Sequence, residues 1–387
     1  MKRLLWLALT IAFLSYMPLL GARVVFTLHA LELGANSFEV GLIVAGIQLP
    51  MLVLSIPMAQ MAERFGAPAV LFVGQLLGSI ALALPYFFPA MPALYAASLI
   101  AGLWSVMSFQ PCQKLIGMLS APHELAKNFS AFSFASGLAM LAGPFIAGVS
   151  VDWLGHARAG FSLLPFTLGG ALILVLLGGR LPGVRGAGVA APRVRETLAD
   201  REVLRLLAIS AILSAPFELY PYILPLYGHA AGLSASTIGS IVSLSAIGAL
   251  VLPPALPYLV KRFGEERVLG GALCVIAFSF AVVPLSTSAV LLGMTALLFG
   301  FASNTNIPVT TILAYARLPE QRASQFLGLR NTAGGAVRGV SPPLFGALAA
   351  LFGVPAVIFG TGALLAAGAA WVWRSRTDPG APPRLRP

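Results

Sequence analysis

Residues 59–68 read Ala59-Gln60-Met61-Ala62-Glu63-Arg64-Phe65-Gly66-Ala67-Pro68, and residues 260–267 read Val260-Lys261-Arg262-Phe263-Gly264-Glu265-Glu266-Arg267. The shared Arg-Phe-Gly sets the two stretches 198 positions apart (64 to 262). The same offset holds outward from them. Gly34 meets Gly232, Gly41 meets Gly239, Ile43-Val44 meet Ile241-Val242, and Leu52-Val53-Leu54 meet Leu250-Val251-Leu252. Val70-Leu71 meet Val268-Leu269. Much later, still without a gap, Gly102 meets Gly300, Ser105 meets Ser303, Gly137 meets Gly335, Pro144 meets Pro342, Gly148 meets Gly346 and Gly155 meets Gly353. A chain rich in Leu, Ala and Gly gives chance identities, but not Arg-Phe-Gly and a proline in one register. The period is too long for a solenoid. It implies two homologous halves, and in a strongly apolar chain such halves imply internal repeats around a shared central site.

Hydrophobic residues make up 58% of the chain and charged residues 10%, against roughly 25% charged in soluble domains. So few charges cannot cover a water-facing surface, so the solvent of most of this chain is lipid. A spanning helix takes about 20 apolar residues. The sequence predicts an all-α membrane protein of twelve such spans, at about 4–28, 38–62, 68–88, 92–118, 127–151, 159–180, 203–228, 234–260, 267–286, 288–316, 324–351 and 353–374. They divide into an N-terminal six-helix bundle over 1–180, a linker over 181–202 and a pseudo-symmetric six-helix bundle over 203–374. Within the linker, 193–202 has the composition of a short surface helix, and the Pro- and Arg-rich tail 375–387 reads as disordered. Prolines within spans, such as Pro50, Pro111, Pro144, Pro216 and Pro308, are tolerated because neighbouring helices re-satisfy the backbone.

The net charge of +11 is a topology signal, not a sign of nucleic acid as partner. Lys2 and Arg3, Arg64, Lys114 and Lys127, the arginines from Arg180 to Arg205, Lys261 to Arg267, Arg317 and Arg322, and Arg374 onward fall in alternate breaks. The other breaks hold almost no Lys or Arg, Arg158 excepted. That alternation predicts cytoplasmic termini and linker in a multi-pass protein of a bacterial inner membrane. Lys2-Arg3 before Leu4 imitates a signal peptide, but the apolar run continues to about Thr27 without a small-residue cleavage site, which predicts an uncleaved first helix. Cys112 and Cys274 offer neither a disulfide framework nor metal spacing. No Gly-rich phosphate loop with Lys-Ser/Thr is present, and His29, His123, His156 and His229 are scattered near span ends. No enzyme chemistry, metal or cofactor is expected.

The loop after the second span resembles that of the major facilitator superfamily, and with the repeat and the charge alternation the resemblance covers almost the whole chain. The family pattern there is Gly, three residues, Asp, Arg, any residue, Gly and two basic residues. Here Glu63, Arg64 and Gly66 fit; Ala59 replaces the first Gly and the basic pair is missing. In the repeat copy Lys261 stands where the acid belongs. The resemblance implies a latch: Glu63, with Arg64 and Gly66 beside it, faces the N-terminus of helix 11 near Ser324, where the helix dipole favours negative charge. Proton-coupled drug exporters of the family carry an Arg in helix 4, four residues before a Gly. Gly102 fits, but Ser98 holds the Arg position. Gly143-Pro144 and Gly148 match part of the exporters' helix 5 pattern, and equally suit plain close packing.

Charges inside spans are costly and tend to face a cavity. Arg23 lies deep in span 1, with Tyr16 and Thr27 on its face. Glu218 lies in span 7 within Pro216-Phe217-Glu218-Leu219-Tyr220-Pro221-Tyr222. Shifted by the repeat, Glu218 falls at position 20, about one turn from Arg23. An Arg23–Glu218 pair or a shared substrate site is one reading. The others are an Arg23 that snorkels outward and a Glu218 that only makes a structural hydrogen bond. In span 11, Arg330 is near enough to the end to reach the surface, and Arg338 is too deep. Gln110, Gln113, Lys114, Asn304, Asn306 and Thr310 add polar groups in spans 4 and 10, as ligand contacts or as helix glue.

These residues predict a secondary transporter working by alternating access, with a small organic molecule and a proton as partners and the chain acting as a monomer. Tyr16, Arg23, Gln110, Tyr222, Asn304, Asn306 and Arg338 are the expected substrate contacts, and Glu218 the proton carrier. The excess of Arg favours an anionic or amphipathic substrate. The resemblance favours proton-coupled efflux, with proton-linked uptake of an organic acid second. A membrane sensor or scaffold without flux is a third possibility, unsupported by any extra soluble domain.

Overall fold

The structure, a computed structural model, describes residues 2–121, 123–181 and 200–374. The expected linker helix at 193–202 and the tail 375–387 lie wholly or mostly outside the described residues. Twelve apolar helices are long enough to cross a bilayer, and there is no strand among the described residues. The first bundle is α1 (Lys2–Glu32), α2 (Ser37–Phe65), α3 (Ala67–Phe87), α4 (Met91–Met118), α5 (Leu125–Leu154) and α6 (Leu164–Leu177), with 3-10 turns on either side of α6. The second is α7 (Arg201–Ala230), α8 (Ala235–Phe263), α9 (Glu265–Val282), α10 (Ala289–Arg317), α11 (Glu320–Phe352) and α12 (Val354–Arg374). The start of α11 is one turn earlier than the sequence suggests.

The repeat is visible in the packing. α1 lies on α5 as α7 lies on α11, α2 on α4 as α8 on α10, and α3 on α6 as α9 on α12. It is visible in the turns as well. Among the described residues six glycines have positive φ: Gly34, Gly66, Gly155, Gly232, Gly264 and Gly353. They form three repeat pairs, 34/232, 66/264 and 155/353, each at or just beyond a helix end. A side chain there would be strained, so the matched glycines of the sequence are matched corners of the fold.

The tenth span departs from the expected single helix. It is two pieces, α10a (Ala289–Ser303) and α10b (Asn306–Arg317). The cause is local. Pro308 has no N–H to donate and its ring crowds the carbonyl of Asn304, so the helix parts at Asn304 and Thr305. α4 has Gln110 at the position equivalent to Pro308 and remains one helix, although Pro111 follows.

Candidate transport site and gate

Arg23 and Glu218 meet. Arg23 Nη1 donates to Glu218 Oε2 at 2.9 Å, across the boundary between the bundles. Arg23 is nine residues from the end of α1, about 14 Å of helix rise, so the pair is well inside the membrane span. The guanidinium turns across to α7 rather than out to the surface. Glu218 is 4% exposed, and Arg23 Nε is buried without a partner. A buried carboxylate needs such a counter-charge, because removing one member of a buried pair costs about 3–5 kcal/mol.

The polar groups of the second bundle gather beside the α10 joint. Asn306 Nδ2 donates to the Ser210 carbonyl at 3.2 Å and to Ser214 Oγ at 3.3 Å, while its Oδ1 is buried and unpartnered. The side chain of Arg338 folds back along α11. A Cβ built on Gly334 would lie 3.6 Å from its Nη1 and 3.2 Å from Ser214 Oγ. No hydrogen bond or ion pair joins Arg338 to any described residue, so one guanidinium stands free next to Ser214 and Asn306. Arg330, expected to reach the surface, does not. Its Nη1 donates to the Ile307 carbonyl at 3.1 Å, Thr310 Oγ1 at 3.1 Å and Thr311 Oγ1 at 2.8 Å. It holds α10b just past the break.

Several expected contacts have other duties. Tyr16 is wedged edge-on against Phe109 and Phe132, at 5.4 and 6.0 Å between ring centres, with its hydroxyl buried and unpartnered. Tyr222 donates its hydroxyl to the Ser37 carbonyl at 2.6 Å, a contact between the two bundles. Asn304 donates to the Gly300 carbonyl at 2.9 Å and finishes α10a. Gln110 is half-buried. Ser98 is buried, donates to the Tyr95 carbonyl at 2.8 Å and fills the notch at Gly46. Of the expected latch, Gly66 turns the chain at φ +86° and Arg64 lies exposed with its guanidinium 5.3 Å from the Phe65 ring centre. The side chains of Glu63 and Ser324 lie outside what is described.

The gate has no signal of its own in the sequence. The bundles meet along α5 with α8 and α2 with α11, at the end opposite the two termini. Both crossings use repeat-equivalent residues. Gly41 abuts the Pro342 carbonyl, and its counterpart Gly239 abuts that of Pro144. Gly148 abuts the Ala235 carbonyl, and its counterpart Gly346 abuts that of Ser37. Each glycine lets one helix backbone touch another. Towards the termini, packing of that extent between α4 and α10 or α11 is missing among the described residues. The closest backbone approaches between the bundles thus lie at the end away from the termini.

One crossing also carries a charge. Asp152, at the end of α5, accepts from the Ala235 N–H at 3.0 Å and the Ser236 N–H at 2.8 Å. Ser234 Oγ accepts from Thr237 N–H at 3.2 Å. The first turn of α8 is thereby capped by its own Ser234 and, in addition, by the opposite bundle. The equivalent turn of α2 caps itself, through Asn36 and Glu39. Three of the four histidines, expected to be scattered, gather here. His156 and His229 line a hollow of about 360 Å³ beside Asp152. His29, buried with both ring nitrogens unpartnered, stacks on His156 at 6.5 Å. Asp152→Asn removes a charge–dipole attraction of about 0.3–1 kcal/mol. Spin-label distances across the gate should show about a 2- to 5-fold shift towards the open form, and an unchanged distribution would show that the cap contributes nothing to closure.

Twelve spans, two equivalent bundles and a charged pair between them are the frame of a membrane transporter. The signature of the Major Facilitator Superfamily matches residues 5–234 and again 206–387. The chain belongs to that superfamily. It is 22% identical over 325 residues to an uncharacterized MFS-type transporter of Methanocaldococcus jannaschii, covering 80% of this chain and 81% of that one. It is 26% identical over 280 residues to the multidrug resistance protein MdtH of Yersinia pestis, covering 67% and 66% of the two chains. Among solved structures, the nucleoside transporter NupG superposes with a TM-score of 0.79 at 14% identity over 96% of this chain and 98% of that one. A POT family transporter bound to 5-aminolevulinic acid gives 0.77 at 14% identity over 96% of each. At such identities these likenesses speak for the fold.

Proposed function

We propose that the protein moves a small organic anion together with a proton, and that the Arg23–Glu218 pair links the two. The carrying observation is the 2.9 Å contact between them. Anion and carboxylate compete for one guanidinium. An anion on Arg23 displaces the Glu218 carboxyl from its counter-charge, and an unpaired buried carboxylate is costly, so anion binding and a proton on Glu218 favour each other. A proton on Glu218 likewise frees Arg23 for the anion. Ligands that aid each other's binding travel in the same direction. Arg338, free beside Ser214 and Asn306, supplies a second positive contact for the anion.

A second reading has a separate support. The similarity to MdtH favours efflux. In that case a cationic amphipath takes the place of Arg23 at Glu218, competes with the proton and travels against it. Flux into proteoliposomes under an imposed pH gradient, screened over organic anions and cationic amphipaths, separates the readings. Anions accumulating on the alkaline side support the first, and cationic amphipaths accumulating on the acidic side support the second. Flux of either kind that ignores the gradient overturns proton linkage.

The alternation of basic loops supports cytoplasmic termini in an inner membrane, which makes this gate the outer one. Single cysteines at Ala187 and Pro89 in a cysteine-free background should then label from opposite sides. Labelling from one side would contradict this orientation. Glu63 keeps its place in the proposal as the inner latch, because α2 packs along α11.

A further inference from the structure

Away from the gate and the charged pair, one hollow opens between α8 and α9 where both lean on α10. It measures about 300 Å³ and its wall is almost wholly apolar, with Leu259 and Phe263 on one side and Val268 and Val275 on the other. Arg267 stands among the lining residues near the Gly264 turn. From Arg267 to Val275 the groove follows α9 for about 12 Å of helix rise, most of one leaflet of a hydrocarbon core about 30 Å thick. A Cβ at Gly271 would touch nothing within 4 Å, so the middle of the groove is open space. The floor is made by Ala302 and Thr305, at the α10 joint.

The charge at the mouth is unbalanced. Arg267 is exposed and has no hydrogen bond or ion pair with a described residue. Lys261 and Arg262, also exposed, lie one turn away across the Gly264 corner. The acid next to Arg267 is already engaged: Glu266 accepts from Arg205 at 2.6 Å and Arg317 at 2.8 Å. A narrow apolar slot one leaflet deep, with unpaired cations at its mouth, matches a molecule with a long alkyl tail and an anionic head.

We propose that this groove between α8 and α9 is a binding site for an anionic phospholipid, its acyl chain on Gly271 and Val275 and its phosphate on Arg267. The charge complementarity selects an acidic lipid over a zwitterionic one, because juxtamembrane Lys and Arg each attract an acidic lipid surface. The acyl chain would lie against Ala302 and Thr305, so the lipid bears on the segment where the tenth span bends.

The full-length protein, purified and offered equal amounts of phosphatidylglycerol and phosphatidylcholine, can be weighed with its retained lipids by native mass spectrometry. Wild type should keep phosphatidylglycerol in preference. Arg267→Gln should lower that preference about tenfold, and Arg267→Lys should restore most of it. Gly271→Leu should reduce retention of the lipid without disturbing the fold, since the new side chain enters empty space. Equal retention of the two lipids by wild type, or undiminished phosphatidylglycerol on Gly271→Leu, would overturn the assignment. So would displacement of the lipid by a transported cargo molecule that occupies the groove, which would make it a cargo entry site. Arg267→Gln, at an exposed position, keeps the test decisive if Gly271→Leu does not fold.

Discussion

Gly148→Leu is expected to leave a protein that cannot close its gate. A Cβ at Gly148 collides with the backbone carbonyl of Ala235, and at 3.1 Å it also meets the Cα of Gly239. Neither obstacle is a side-chain tip that can swing aside, so the helices themselves must part. Forcing extra atoms into a packed contact costs about 1–3 kcal/mol, and here the cost falls only on the closed state. The balance should shift by about 5- to 150-fold towards the open form. The counterpart Gly346→Leu should act alike, because Gly346 meets the Ser37 carbonyl in the other crossing. Transport should fall to a small fraction of wild type in both, while cysteines near Ala235 become reachable from the gate side. Retention of the closed distances in spin-label measurements on both variants would show that the crossings are not the gate.

Glu218→Gln should separate movement of the substrate from movement of the proton. The new side-chain amide would still accept the hydrogen bond that Arg23 donates to Glu218 at 2.9 Å, but it has no proton to give or take near neutral pH. Substrate exchange between the two sides should persist, and accumulation driven by a pH gradient should vanish. Arg23→Ala is the harsher change. It strands Glu218 in a site where that residue is 4% exposed, with a cost of about 3–5 kcal/mol if the carboxylate stays charged. Binding and flux should both be lost, and Arg23→Lys should restore only part, because an ammonium lacks the planar fork. Arg23→Gln combined with Glu218→Gln controls for folding, since it leaves no unpaired charge. Wild-type accumulation in Glu218→Gln would make Glu218 structural and move the proton site elsewhere.

The features legible in the sequence are those that the repeat states twice. The glycines at 34, 66 and 155 and their partners turn the chain, and those at 41 and 148 with theirs make the gate crossings. The offset reveals them without revealing what they touch. Arg23 and Glu218 are legible because a charge in a span is rare and the repeat sets both at similar depth. Asp152 is not. It sits at a span end, where acids are common, and its partners are two backbone amides 83 and 84 residues away. Backbone donors have no sequence signature. Tyr222 reads as a ligand contact because its type fits one, and nothing in the sequence shows that its hydroxyl meets the carbonyl of Ser37. The histidines look dispersed along the chain because α1, α5 and α7 converge at the gate only in three dimensions.

The repeat carries each gate crossing onto the other at the same end of the molecule, Gly41 onto Gly239 and Gly148 onto Gly346, so exchanging the halves never exchanges the two faces of the membrane. What duplication alone would leave identical are the two flanks of the seam. In this chain they are told apart where the copies disagree. Asp152 caps a helix across the gate, and its counterpart is Ala350. Tyr222 binds Ser37 where the other copy offers Val24. The tenth span is jointed before Pro308, and the fourth, with Gln110, is a single rod. The repeat builds a symmetric seam, and these few broken equivalences make its two flanks different.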